Sequence, residues 1–154
     1  NIEFNVNELL DELYLNFKEQ ALHKNINFQY EKDPADAIVN TDKVLLYEIL
    51  QNLLSNAIKF SPANKNVILT SVITGKNVLI NVADEGPGFT EKDKQRIFSK
   101  FTKLSAKPTG NEHSTGLGLS IVKRLCDLIG VEIEFISNEG KGAKFIVNIL
   151  LGHN

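Results

Sequence analysis

Glu48-Ile49-Leu50-Gln51-Asn52-Leu53-Leu54-Ser55-Asn56-Ala57-Ile58-Lys59-Phe60 is the stretch whose reading decides the fold. Leu45, Leu46, Ile49, Leu50, Leu53, Leu54 and Ala57 recur at helical spacing and make one apolar face. Asn52 and Asn56 are four apart, with Glu48 a turn before and Lys59 a turn after, so these four form one polar stripe beside that face. Asn is a poor helix-interior residue because its short side chain competes for backbone hydrogen bonds. A merely solvated stripe would carry long, charged helix formers. Two Asn in register therefore mark a candidate ligand surface, with an ordinary wet face as the alternative.

Working outward, Thr41-Asp42 caps this helix and Ser61-Pro62 stops it. Upstream, residues 2–5 read as a short strand entering a helix capped by Asn5 or Asn7, with Leu9, Leu10, Leu13, Phe17 and Leu22 at helical spacing. Residues 25–30 alternate Ile26 and Phe28 with polar residues, a strand pattern. Asp33-Pro34 makes a turn, and Ala37-Ile38-Val39 is a brief strand whose candidate partner is the one before it. Downstream, residues 66–74 and 77–84 alternate strongly across Gly75-Lys76, which predicts a hairpin. Asp84 keeps phase with Val78, Ile80 and Val82, the side chains expected to face the helices. An inward carboxylate is costly unless something partners it.

Glu85-Gly86-Pro87-Gly88-Phe89 is a tight loop, and residues 90–98 a short helix with Glu91 and Asp93 in its first turn. Phe98 and Phe101 follow, read either as part of a site or as core at the root of the next loop. Residues 102–114 show no apolar periodicity, and a loop that long predicts a mobile lid. Thr115-Gly116-Leu117-Gly118-Leu119 opens a helix whose expected apolar face is Leu117, Ile121, Leu125 and Leu128. Residues 131–137 and 143–150 are the last two strands, around a turn at 138–142.

The 154 residues suit one domain spanning 1–154, with a 42% hydrophobic and 23% charged composition ordinary for a globular protein. The net charge of −2 gives no bulk attraction for nucleic acid or an anionic membrane. No run reaches the roughly 18 apolar residues of a membrane span. Cys126 is alone, which excludes a disulfide framework and predicts a small core residue. There is no Met even at position 1, so a piece of a longer protein is expected.

Three glycine-bearing loops follow the Asn-bearing helix: Gly86-Pro87-Gly88, Gly116-Leu117-Gly118 and Gly140-Lys141-Gly142. Each alone is a weak signal, since Gly marks turns everywhere. The second stands where a helix begins, where free amides and the helix dipole favour phosphate. It lacks the ending of a P-loop and the preceding strand of a dinucleotide fingerprint.

Taken in order, the motifs are Asn-x-x-x-Asn-Ala-x-Lys, Asp-x-Gly-x-Gly, Phe-x-x-Phe, a lid, Gly-Leu-Gly-Leu and Gly-x-Gly. This series resembles the ATP-binding catalytic domain of two-component sensor histidine kinases, members of the Bergerat-fold superfamily, over nearly the whole chain. The fold it implies agrees with the element pattern: an α/β (α+β) two-layer sandwich with a mixed, mainly antiparallel sheet of about five strands, about three helices on one face and a mobile ATP lid.

The resemblance also implies roles. Asn56 would hold Mg²⁺ through its amide oxygen, with Asn52 near the phosphates or their water shell. Lys59 would be a point charge on a phosphate, and Phe60 would pack on adenine where relatives often have Tyr. Asp84 would accept the adenine amine, which supplies its missing partner. Gly86 and Gly88 would let backbone approach the base, with Phe89 walling the pocket. Thr115, Gly116, Leu117, Gly118 and Leu119 would offer amides to the phosphates. Lys103 would reach the terminal phosphate, with Lys100 as a second candidate. Ser114 stands where Gly is usual, and Ala143 where Thr is common.

ATPases of the superfamily carry Glu as general base at the position of Asn52, and Asn cannot take a proton. The resemblance therefore implies a kinase that binds Mg·ATP and passes its γ-phosphoryl to a histidine elsewhere. The alternative is an ATP-binding regulatory module without turnover. His23, His113 and His153 all lack the helical His-Glu/Asp setting of the family's acceptor. Expected partners are a dimerisation and phosphoacceptor domain next to residues 1–24, and a response-regulator receiver domain. No nucleic acid and no membrane contact by this domain are expected. The domain would be cytoplasmic and its parent a homodimer, with or without a membrane anchor.

Overall fold

The computed structural model describes residues 1–94, 118–137 and 140–152. In chain order the elements are β1 (Ile2–Asn5), α1 (Val6–His23), β2 (Asn27–Glu31), β3 (Ile38–Thr41), α2 (Lys43–Phe60), β4 (Asn66–Thr74), β5 (Asn77–Asp84), the short α3 (Glu91–Lys94), α4 (Gly118–Ile129), β6 (Glu132–Ser137) and β7 (Ala143–Leu150). A five-stranded sheet runs in the order β2-β4-β5-β7-β6, with β2 parallel to β4 and all other neighbours antiparallel. This is the mixed, mainly antiparallel sheet of the α/β sandwich expected from the sequence, with the three long helices packed over it. A second, two-stranded sheet pairs β1 with β3.

That second sheet corrects one expectation. The 37–39 stretch pairs with β1 across α1, not with β2. The capping residue of α1 explains the choice. Asn5 accepts from Asn7 N and Ala37 N, both at 3.1 Å, so the side chain that caps the helix also seizes the strand. Edge strand β2 instead takes β4 in parallel, which requires the intervening helix α2 as its crossover.

The core lies between the layers. Val67, Leu69, Val78, Ile80, Val82, Val147 and Ile149 point from the sheet at Leu9, Leu10, Leu13, Leu46, Ile49, Leu50, Leu53 and Leu54 of α1 and α2. Two predicted faces shift. Leu22 is 71% exposed, because α1 closes on Ala21, and α4 buries Leu119, Val122, Leu125 and Cys126 while Ile121 and Leu128 stay in solvent. On the buried face α4 packs along α2 and against β6. Cys126 is a buried core residue, as expected.

Helix ends are closed locally. Asp42 accepts from Leu45 N at 2.9 Å and caps α2. Asn25 at φ 58 ends α1, with Asn25 N on the Leu22 carbonyl and Ile26 N on the Ala21 carbonyl, a Schellman ending. No described helix is long and apolar enough to cross a membrane.

Candidate functional site

The polar stripe of α2 faces the end of β5 and the start of α4. Between them a pocket open on one side to solvent is lined by Asn56, Ala57, Phe60, Asp84, Pro87, Gly88, Phe89, Leu119, Ala143 and Phe145. Its walls are almost wholly apolar with a few polar groups converging on it, the usual make-up of a small-molecule site. Asn56, Phe60, Asp84, Gly88, Phe89 and Leu119, all singled out from the sequence, thus share one cavity.

Asp84 enters this cavity as the register of β5 demands. It stands on the face of Val78, Ile80 and Val82, opposite Ala143 of β7. Removal from water pushes its carboxyl up to about 6, against the pull of the Gly86 and Ala143 amides, which donate to it. The Gly86 bond is 2.8 Å. Two backbone donors on a half-buried carboxylate leave lone pairs facing an apolar cavity, which suits a ligand amine or amide N–H.

The loop after β5 is built for close approach. A Cβ at Gly86 would lie 2.8 Å from the Phe60 carbonyl oxygen and 3.0 Å from the Asp84 carboxylate, so glycine lets the loop press on the end of α2. Phe89 is buried edge-on to Phe135 and Phe145, with centroids 6.1 and 6.2 Å away. Its amide donates to Ser137 Oγ at 2.7 Å, and that hydroxyl donates to the Gly142 carbonyl at 3.0 Å. Ser137 therefore ties both glycine-bearing loops of the pocket together. The sequence reading missed it, along with Pro87 and Phe145; only its in-phase place at a strand end pointed inward.

Asn52 lies one turn from the cavity. Its Nδ2 donates to the Glu48 carbonyl at 2.9 Å, which fixes the carboxamide. A Cβ at Gly118 would meet Asn56 Nδ2 at 3.4 Å, Asn52 Oδ1 at 3.6 Å and Asn56 Oδ1 at 3.7 Å. The start of α4 thus touches both amides, and any larger residue would sit on them. Asn52 also lines a neighbouring groove with Asn16, Gln20, Tyr47, Gln51 and Ser55. Lys59 is half-buried in the last turn of α2 and is not among the residues lining the cavity. Lys100, Lys103, Thr115, Gly116 and Leu117, with the predicted lid, Phe98, Phe101 and His113, lie outside the described residues.

Among the described residues there is no group of three His, Cys, Asp or Glu able to hold a metal ion. Of the two stripe amides, Asn56 lines the cavity, and Asn52 Oδ1 lies beside it at the start of α4. That donor set fits a hard cation which keeps water and borrows oxygens from its ligand, and not a closed protein cage.

Residues 41–153 match the family model of histidine kinase-, DNA gyrase B- and HSP90-like ATPases. The catalytic domain of histidine kinase ThkA superposes with a TM-score of 0.81 at 34% identity, covering 97% of this chain and 95% of that one. Full-length ShkA in complex with AMPPNP superposes at 0.80 with 29% identity, over 99% of this chain and 32% of that one. In sequence, Histidine kinase P4 of Formosa agariphila is 30% identical over 153 residues, 97% of this chain and 11% of that protein. The chain spans about a tenth to a fifth of the first curated relatives it matches.

Proposed function

The chain belongs to the family of histidine kinase-, DNA gyrase B- and HSP90-like ATPases, and within it to the catalytic domains of histidine kinases, and on that ground we propose that it binds Mg·ATP and passes the γ-phosphoryl group to a histidine on a separate dimerisation domain. The observation that carries this reading is the Asp84 carboxylate, held by two backbone amides at the inner end of an apolar cavity. Adenine fits such a place, because its exocyclic amine donates where the carboxylate still accepts and its ring fills the apolar walls of Phe60, Phe89 and Leu119. ShkA, a relative of this fold, carries AMPPNP, an imido analogue of ATP.

With the base at Asp84, the phosphates run along the α2 stripe toward Asn56 and Asn52. Asn56 would offer an amide oxygen to Mg²⁺, and the ion would supply charge neutralisation at the phosphates. Lys59 and the amides of Gly118 and Leu119 would add positive charge and donors toward this end, and the family resemblance gives Lys103 and the amides of Thr115, Gly116 and Leu117 the same role. Phosphoryl transfer asks the protein mainly for position and charge neutralisation, and these groups provide both. Asn52 holds its place without being able to accept a proton, so water in the site is not activated. ATP is thereby kept for the acceptor.

The acceptor histidine belongs to a dimerisation domain docked near residues 1–24, in a homodimeric parent working in two-component signalling. A response-regulator receiver domain is the downstream partner; the related ThkA has been seen in complex with the response regulator TrrA. The domain, residues 1–154, works on the cytoplasmic side and touches neither nucleic acid nor membrane.

The test is twofold. ATP-analogue binding is measured with and without Mg²⁺ for the wild type, Asn56→Ala and Asp84→Asn. Asn56→Ala loses the Mg²⁺ dependence, and Asp84→Asn loses affinity either way; unchanged binding in both sinks the site. Labelled ATP with a separately made acceptor domain then labels its histidine, and no label counts against the kinase.

A further inference from the structure

Lys24 lies outside the cavity, yet it reaches the helix that carries the site. Its Nζ donates to the Ile58 carbonyl at 2.7 Å and to the Lys59 carbonyl at 2.9 Å. The last four carbonyls of a helix have no partner within it, and here the end in question is that of α2. Ala57 O accepts from Ser61 N at 3.1 Å, and the Phe60 carbonyl is covered by Gly86. The two carbonyls between them are closed by one ammonium group from another helix, placed at the negative end of the α2 dipole.

The Lys24 backbone is itself immobilised. It is the C-cap of α1, its own amide donating to the Ala21 carbonyl at 3.2 Å within the Schellman ending set by Asn25. The turn is also stitched to the loop that follows α2: Asn64 N donates to the Asn25 carbonyl at 2.8 Å, and Asn27 N to the Lys65 carbonyl at 2.9 Å. The ammonium therefore projects from a fixed point, and the turn it grips carries Lys59 and Phe60, one turn after Asn56.

We propose that Lys24 is a positioning residue for the nucleotide site, setting the last turn of α2 so that Phe60 and Asn56 meet the ligand in register with Asp84. This rests on the nucleotide reading given above. The consequence is specific. Without the ammonium, the last turn is free to unwind toward the 61–65 loop, Phe60 leaves the cavity wall, and Gly86 loses the surface it packs on. A polar atom that reaches only one carbonyl would not replace it, whereas a guanidinium, with several donors, would.

The experiment uses the whole chain and an ATP analogue with Mg²⁺. Three variants are compared with the wild type: Lys24→Met, Lys24→Arg, and Leu10→Val as a control that loosens the α1 core far from the site. Urea unfolding is run on the same preparations, and each affinity is measured where the protein is fully folded. Lys24→Met is expected to weaken binding about tenfold, Lys24→Arg to restore it to within about twofold, and Leu10→Val to leave it unchanged. Amide shifts of Asn56, Lys59 and Phe60 should move in the free Lys24→Met protein while those of Val78 and Ile80 stay. Should Lys24→Met prove too unstable to assay, Lys24→Gln takes its place with the same expectation. Wild-type affinity in the Met or Gln variant overturns the proposal. So does a loss shared by Leu10→Val, which would assign the effect to general stability. A wild type that binds no nucleotide refutes the functional reading instead, and the two failures are told apart by that first measurement.

Discussion

Gly142 lies against the Asp84 carbonyl with no room for a Cβ between them, at a φ of 87° that favours glycine. The contact sets the height of the turn after β6 over the end of β5, and so the position of Ala143 over the Asp84 carboxylate. Gly140 has a similar φ of 80° but nothing within 4 Å of a Cβ. The two glycines therefore separate backbone strain from steric contact.

Gly140→Ala is expected to cost about 1–2 kcal/mol, the penalty of a left-handed alanine alone. Gly142→Ala adds a clash with backbone that cannot swing aside, and should cost about 3 kcal/mol or more. Urea unfolding of both variants checks this. Equal losses would mean that the β5 end moves freely.

Asp84 predicts a pH dependence. Its carboxyl sits near 3.8 when unfolded and is pushed up to about 6 when folded, chiefly by removal from water. The folded state holds the extra proton between these values, so this contribution to stability is fully present below about pH 4 and lost as pH rises through 6. Each pH unit between the two values is worth about 1.4 kcal/mol, so this group makes the ligand-free protein about 3 kcal/mol less stable at pH 7 than with the proton in place. Asp84→Asn, which keeps an acceptor oxygen, should flatten the curve between pH 4 and 7.

Nucleotide affinity should run the opposite way. An amine donor favours the ionised acceptor, so binding strengthens as pH rises through 6 and loses up to about tenfold per pH unit below it. Titration calorimetry at pH 5 to 8 tests this; a flat profile in the wild type would exclude the Asp84 contact.

Asn7 should matter more than a surface Asn. It is 5% exposed, its Nδ2 donates to the Asp33 and Ala35 carbonyls at 3.1 and 3.0 Å, and its Oδ1 accepts from Ser71 Oγ at 2.7 Å. Ser71 Oγ accepts in turn from Asp33 N at 2.9 Å. Asn7→Ala leaves several buried groups unpaired and should cost about 2–4 kcal/mol in urea unfolding. A loss near zero would mean that water satisfies them.

The Asn at position 52 predicts a kinetic pair. The isolated chain with Mg·ATP should release phosphate at the rate of a protein-free control, because neither Asn52 nor Asn56 can take a proton from water. Asn52→Ala should lower transfer to an added acceptor domain about a hundredfold while changing nucleotide affinity only severalfold. Steady phosphate release by the wild type would show that a base lies elsewhere.

The hairpin of β4 and β5 was legible to the residue, because its period is two and its Gly-Lys turn is unambiguous. So were the bounds of α2, whose capping Asp42 and terminating Pro62 are local signals. What escaped was non-local. The pairing of β3 with β1 depends on where Asn5 sends its second hydrogen bond, and the buried face of α4 depends on what α2 offers it. Leu117, Ile121, Leu125 and Leu128 form as good a stripe as Leu119, Val122, Leu125 and Cys126; the packing of α4 on α2 and β6 decided between them, not period. The cavity followed the same division. Asp84 was found from its phase, whereas Ser137 acts through a contact 48 residues away in sequence.

The register that sets Asp84 opposite Ala143 joins two strands that no short turn connects. The β4–β5 hairpin is a local pairing across Gly75-Lys76, but the cavity walls also need α2, α4 and β7. A partly folded chain with an intact hairpin therefore has nothing for a nucleotide to hold. Ligand added during refolding would select the finished molecule without guiding the path to it, raising the barrier to global opening by mass action and leaving the early rate of collapse unchanged.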